Sequence, residues 1–172
     1  AQVTAIDAAD NASLRDWADS AGQAAELRLG ESGLIEERFA LCVVSPGIAV
    51  THQQVVALQA AGIPVWSELE LGSRAVDCPA IGITGTNGKT TTTELVAAIL
   101  NANNRSTIAA GNIGTPLSAV ARQSSQLDWV TLEVSSFQLE TNDLFKPRIG
   151  VLLNLAPDHL DRHGTCLLYT SD

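Results

Sequence analysis

The sequence predicts an α/β protein built on parallel sheets. Three observations carry that expectation. Near-continuous apolar runs of strand length recur along the chain, among them Phe39–Val44 and Ile149–Leu155. Unbroken runs suit parallel strands buried on both faces, whereas half-exposed strands alternate. These runs take turns with helix-like segments, the order of βαβ units. One of them, Ala80–Thr84, feeds into a glycine-containing turn that opens a helix. In open α/β sheets, ligands gather at such carboxyl ends of strands.

Taken in order, Val3–Ile6 reads as a short strand and Ala12–Ala21 as a helix. Phe39–Val44 is a strand that stops at the turn signal Ser45-Pro46-Gly47. His52–Ala61 is a helix ended by Gly62, Ile63–Trp66 a strand and Glu68–Ala75 a helix. Cys78-Pro79 marks the joint to a second unit. There, strand Ala80–Thr84 precedes a helix from Thr90 to Asn101, whose apolar residues Leu95, Val96, Ile99 and Leu100 fall on one face. Trp129–Val134 and Ile149–Leu155 complete the strands.

Bulk properties narrow the class. The 172 residues are 45% hydrophobic, 17% charged and only 4% aromatic, a balance of packed proteins whose core is Val, Leu, Ile and Ala. The net charge of −9 argues against nucleic acid as a partner, since phosphate backbones need a basic footprint. Cys42, Cys78 and Cys166 are far apart and form no CxxC pair, which marks them as incidental thiols rather than a metal or disulfide framework. No run approaches the ~18 apolar residues of a membrane span. With no basic-then-apolar leader, the chain reads as cytoplasmic.

The strongest local signal is Gly85-Thr86-Asn87-Gly88-Lys89-Thr90-Thr91. Glycines let the backbone approach a ligand, and the loop N–H groups with the helix start then face an anion. Lys89 would reach terminal phosphates and the Thr90 hydroxyl would bind Mg2+. The strict G-x-x-x-x-G-K-[ST] spacing requires glycine at 83, where this chain has Ile83. The bland alternative is a glycine-rich turn with a solvated lysine.

The loop resembles the G-T-N-G-K-[ST] variant of the Mur ligases and folylpolyglutamate synthases, which accounts for Ile83. Three further segments are similar to the D-glutamate-adding branch of the Mur ligases. They are Gly111-Asn112-Ile113-Gly114, the run Leu132–Glu140 containing Ser135-Ser136-Phe137-Gln138, and Asn154–Arg162 with its N-x-x-x-D-H-x-D-R pattern. Val44-Ser45-Pro46-Gly47-Ile48 looks like that branch's S-P-G loop. The likeness runs from about Leu41 to Thr165 and is vaguer before Ala40.

The resemblance implies a partial Rossmann-like UDP-substrate domain over residues 1–77. A partial P-loop-type parallel-sheet ATPase domain follows over 78–165. It further implies an ATP- and Mg2+-dependent monomeric ligase that joins D-glutamate to UDP-N-acetylmuramoyl-L-alanine through an acyl phosphate. Glu133 would hold Mg2+ with Thr90, the alternative being a buried ion pair. Ser135 and Gln138 would touch the substrate, with a helix N-cap as the other role open to Ser135. Asn112 would contact the acceptor substrate or simply stabilise its turn. His159, oriented by Asp158 and Asp161, would help hold a second Mg2+. Ser45, Pro46 and Gly47 would line the UDP-sugar pocket, and Asp7 would contact uracil. His52 and His163 read as surface residues.

Other enzymes of the superfamily and a non-catalytic P-loop module are the rival readings. The Ser-Ser-Phe-Gln run opposes the first, and His159 with the Ser-Pro-Gly loop opposes the second. The chain lacks Met and begins as if a strand were under way, and residues 166–172 depart from the family pattern and read as a foreign tail. The resemblance places the D-glutamate domain and a carbamylated lysine outside this stretch, so a fragment with little ligase activity alone is expected.

Overall fold

A computed structural model describes residues 2–31 and 39–160. The expectations for Asp161, His163, Cys166 and the 166–172 tail fall outside them. The chain divides into two compact units, 1–37 and 38–172. The α/β class with parallel sheets holds throughout.

In the first unit, β1 (Val3–Asp7) and β2 (Ala25–Leu29) pair in parallel around helix α1 (Ala12–Ala21). Asn11 caps α1 by accepting from the Leu14 N–H at 3.0 Å, so the helix begins where its first free donors find a partner.

The second unit opens with β3 (Cys42–Val44), α2 (Gln53–Ala60), β4 (Val65–Ser67) and α3 (Glu68–Ser73). Strands β3 and β4 pair in parallel. The strand expected over Phe39–Val44 is thus only its last half. Next come β5 (Ala80–Thr84), α4 (Lys89–Ala102), β6 (Thr107–Gly111), α5 (Leu117–Val120), β7 (Trp129–Glu133), α6 (Ser136–Leu139) and β8 (Ile149–Leu152). They build a parallel sheet of order β6-β7-β5-β8. The chain leaves β5 toward β6 on one flank and returns to β8 on the other. A crevice therefore opens at the carboxyl end of β5, the usual ligand position in such sheets.

The core gathers Leu69, Ala110, Leu117, Val120, Val130, Leu132 and Val134. Helix α4 turns inward only part of the face its apolar spacing suggests, Val96 and Leu100 being partly buried beside Thr93 and Ala97. Thr93 and Ala97 are buried, while Leu95 and Ile99 are 56% and 53% exposed. The loop fixes the rotation of the helix at Lys89 and Thr90, and the positions one and two turns on, Thr93 and Ala97, then meet the sheet. Their small side chains permit a close approach.

A buried carboxylate ties α3 to the stretch before β8. Glu70, fully buried, accepts from the N–H groups of Asp143 (3.1 Å), Leu144 (3.1 Å) and Phe145 (2.9 Å) and from the Arg74 guanidinium (2.6 Å). Arg74 in turn lies 3.9 Å over the Trp66 ring. Burial pushes the Glu70 carboxyl up, but these hydrogen bonds together outweigh it and hold the group below the usual carboxylate range. A carboxylate with a lowered folded value stabilises fully at neutral pH, and its contribution is lost as pH falls through that value. Glu70→Gln is therefore expected to cost about 3 kcal/mol at neutral pH. The gap from the parent chain should narrow as urea unfolding is repeated toward pH ~4. A constant gap across that range would show that the charge is not what stabilises.

Candidate active site

The four strands of the large sheet end at one level. Glu133 of β7 is in register with Ile83 of β5 and with Gly111 of β6, and Thr84 is in register with Leu152 of β8. The residues that follow these ends, Gly85, Asn112, Ser135 and Asn154, are thereby gathered at one edge.

The turn after β5 bends at Gly85, where φ is 140°, outside the range L residues favour. A Cβ there would meet the Asn154 backbone at 3.1 Å, so the close approach also requires glycine. Lys89, the first residue of α4, folds back over the loop. Its Nζ donates to the Gly85 carbonyl (2.7 Å) and the Thr86 carbonyl (3.1 Å), which holds the ammonium group in the mouth of the turn.

At the second residue of the helix, the Thr90 hydroxyl donates to Glu133 Oε2 at 2.6 Å. The other carboxylate oxygen, Oε1, accepts from the Asn112 side-chain amide at 2.9 Å. Asn112 is itself anchored, its backbone N–H donating to the Glu133 carbonyl at 2.9 Å. Glu133 is only 3% exposed. Its hydrogen-bond donors here are neutral, which disfavours the buried ion pair. A hydroxyl beside a buried carboxylate is a hard-oxygen pair that suits Mg2+. This ion typically takes one or two protein oxygens and fills its octahedron with water and substrate phosphate. The described residues contain no cluster of three or more His, Cys, Asp or Glu arranged for a metal ion.

Ser135 and Gln138 form a reciprocal capping box at the start of α6. The Ser135 hydroxyl accepts from the Gln138 N–H (3.3 Å) and Gln138 Oε1 accepts from the Ser135 N–H (3.0 Å). The cap expected as one role of Ser135 is present. Gln138 is 2% exposed and partnered with Ser135. Beyond β8, His159 takes a positive φ of 48° and stacks on Phe137, ring centroids 4.8 Å apart. Its Nε2 lies 3.8 Å from the Asp158 carboxylate.

Thr86, Lys89, Asn112, Ser135 and His159 line a single open cleft of about 220 Å3. A larger hollow of about 280 Å3 beside Arg74 and Phe145 lies at the amino ends of β5 and β7, away from these groups. Chemistry rather than size marks the first as the site. Ser45, Pro46 and Gly47 form a separate turn after β3, closed by the Ile48 N–H donating to the Ser45 carbonyl at 3.0 Å. Asp7 ends β1 in the first unit, where its carboxylate accepts from the Ala9 N–H at 2.8 Å. His52 is an exposed N-cap of α2. Cys42 and Cys78 are half-buried free thiols, and burial pushes both upward, away from the reactive thiolate.

A phosphate-type loop, a buried carboxylate joined to its threonine, and an Asp-His pair share this edge. The family follows from the sequence match: residues 83–171, just over half of the chain, fit the Mur ligase middle domain. The chain belongs to the Mur ligase family. This Mur ligase chain is 49% identical over 141 residues to a UDP-N-acetylmuramoylalanine–D-glutamate ligase of Pelotomaculum thermopropionicum, a match covering 81% of the chain and 31% of that protein. It is 42% identical over 167 residues to the enzyme of the same name from Acidobacterium capsulatum, covering 96% of the chain and 36% of the relative. The chain thus spans about a third of the length of these curated relatives. Among solved structures, the UDP-N-acetylmuramate:L-alanyl-gamma-D-glutamyl-meso-diaminopimelate ligase from Neisseria meningitides superposes with a TM-score of 0.58 at 21% identity. That match covers 98% of the Mur ligase chain and 57% of that structure's. It supports the fold.

Sequence reading missed two contributors to the site. Asn154 was visible only as part of a motif, and its clasp on the loop is described below. Phe137 sat unassigned within the Ser-Ser-Phe-Gln run, although an aromatic residue beside a site histidine was the available signal.

Proposed function

We propose that the chain is the ATP-binding, carboxylate-activating part of a ligase that joins D-glutamate to UDP-N-acetylmuramoyl-L-alanine. The observation that carries this reading is the Thr90–Glu133–Asn112 network set beside Lys89 at the carboxyl edge of the sheet. The names and identity of the curated relatives support the choice of substrates. Residues 1–77 would serve the UDP substrate and 78–165 the nucleotide.

The difficult step brings an anionic carboxylate to an anionic phosphate. The loop from Gly85 to Thr91 receives the ATP phosphates on the N–H groups at the start of α4, those of Thr86 and Asn87 being held by Asn154, and Lys89 places a positive charge where the γ-phosphoryl group transfers. Mg2+ held through Thr90 and Glu133 would supply further charge neutralisation. Asn112 keeps Glu133 aimed. A carboxylate oxygen of the substrate bonds to the γ-phosphorus as the bond to the ADP oxygen breaks. The amine of D-glutamate, having lost its proton, then bonds to the acyl carbon and inorganic phosphate leaves. His159 and Ser135, on the same cleft, would position the acyl end, and holding the reactants aligned accounts for much of the gain. The loop turn at Ser45–Gly47 and Asp7 would serve the UDP portion.

Hydroxylamine trapping tests the reading. A complete ligase carrying this segment should yield an acyl hydroxamate from UDP-N-acetylmuramoyl-L-alanine with ATP and Mg2+, before any D-glutamate is added. Product from a folate substrate instead, or ATP binding with no trapped acyl group, would replace this proposal with one of its rivals.

A further inference from the structure

Hydrogen bonds lace the phosphate loop to the segment after β8. The Thr86 N–H donates to the Asn154 carbonyl at 3.2 Å. The Thr86 hydroxyl donates to the Ala156 carbonyl (3.1 Å) and accepts from the Ala156 N–H (2.9 Å). The carboxamide of Asn154 straddles the next residue: its Oδ1 accepts from the Asn87 N–H (2.9 Å) and its Nδ2 donates to the Asn87 carbonyl (2.9 Å). Gly85 packs against the same Asn154 backbone.

The chemistry of these contacts separates them from ordinary loop closure. A hydroxyl that already donates its one hydrogen has none left for a phosphate oxygen. The Thr86 side chain is therefore committed to Ala156, and its backbone N–H to the Asn154 carbonyl. The Asn154 side chain imitates a peptide group and extends the β5–β8 ladder past the point where the strands end. Three residues beyond Ala156 comes His159, stacked on Phe137. The clasp thus begins on the nucleotide loop and ends at Ala156, three residues before the residue assigned to the acyl end.

We propose that Thr86 and Asn154 are positioning residues that make the phosphate loop and the 154–159 segment one mechanical piece, so that nucleotide on the loop is felt at His159. This rests on the ATP assignment above, but the clasp itself is measurable without nucleotide.

The test uses the 172-residue chain, with Thr86→Val, Asn154→Ala and the restoring variant Thr86→Ser. Amide exchange is followed at Asn87 and Ala156 by NMR. The ring protons of His159, assigned by comparison with His159→Gln, report its place on Phe137. Thr86→Val should speed exchange at Ala156 roughly tenfold, the worth of one net hydrogen bond. It should also speed exchange at Asn87 and move the His159 resonances, and Thr86→Ser should restore all three. Asn154→Ala should give the mirror pattern, starting at Asn87, and serves if the valine variant fails to fold. Faster exchange confined to Ala156, with Asn87 and His159 unmoved in both variants, would overturn the proposal. Adding Mg2+ and a non-hydrolysable ATP analogue to the same samples should shift His159 in the parent chain but not in the variants. No binding by the parent chain would remove the ATP assignment and leave the clasp judged on the nucleotide-free data.

Discussion

Replacing Lys89 with alanine should lower kcat/KM for ATP roughly 10³-fold in a complete ligase carrying this segment, the cost of losing one preorganised charge at a transferring phosphoryl group. The side chain has a fixed place, its Nζ held by the Gly85 and Thr86 carbonyls at the mouth of the turn. No other lysine or arginine lines the cleft among the described residues. A phosphate brought there would face Glu133 and Asp158 with that cation gone. The effect should fall on acyl-phosphate formation and leave the affinity for UDP-N-acetylmuramoyl-L-alanine largely unchanged, because the UDP side is assigned to other residues. Steady-state kinetics with ATP varied, alongside calorimetry of the UDP substrate, separates the two. Turnover within a few fold of the parent would take Lys89 out of the mechanism.

Gly111→Ala should destabilise the chain by roughly 2–5 kcal/mol, combining backbone strain with a steric clash. Gly111 has φ 101°, and a Cβ at that position would stand 2.3 Å from the Glu133 carbonyl oxygen. The neighbour is backbone in the middle strand pair, so it cannot swing aside as a side chain would. Relief must come from moving the end of β7, and that carries Glu133 away from Thr90 and Asn112. Loss of stability and loss of Mg2+-dependent ATP binding should therefore appear together. Gly114→Ala is the matched control. It too has a positive φ, 53°, but a Cβ there meets nothing within 4 Å, so about 1 kcal/mol is expected. Chemical unfolding of the two variants decides, and equal effects would show that the crowding at Glu133 is not what matters.

Much of this site was legible because its chemistry is local in sequence. The loop from Gly85 to Thr91 announces itself through glycine and lysine spacing. The Glu133 position follows from where an apolar strand runs out, and the residues at the strand ends are placed by the sheet. What escaped was non-local or apolar-poor. Strand β6 (Thr-Ile-Ala-Ala-Gly) is too short and small-sided to announce itself, and gains its place by pairing with β7. Its Thr107 hydroxyl meets that of Thr131 at 3.1 Å, a partner no single-strand pattern reveals. Strand β2 mixes Glu26 and Arg28 with leucines and was equally quiet. Helix α4 misled for another reason: only part of its best apolar stripe lies on the face that the loop turns inward. Glu70 and Asn154 act through partners 73 to 75 and 67 residues away, a distance at which periodicity carries no information.

The Glu70 anchor bears on the order of events in folding. Its backbone partners lie 73 to 75 residues downstream, so the chain must close a long loop before the carboxylate gains anything. That interaction is therefore expected to form late, so that Glu70→Gln should speed unfolding and leave the folding rate nearly unchanged in stopped-flow kinetics. Interactions absent from the transition state slow escape from the native state without hastening arrival. The buried carboxylate would then act as a kinetic latch at the amino end of the sheet, governing how long the stretch before β8 stays docked more than how quickly it docks.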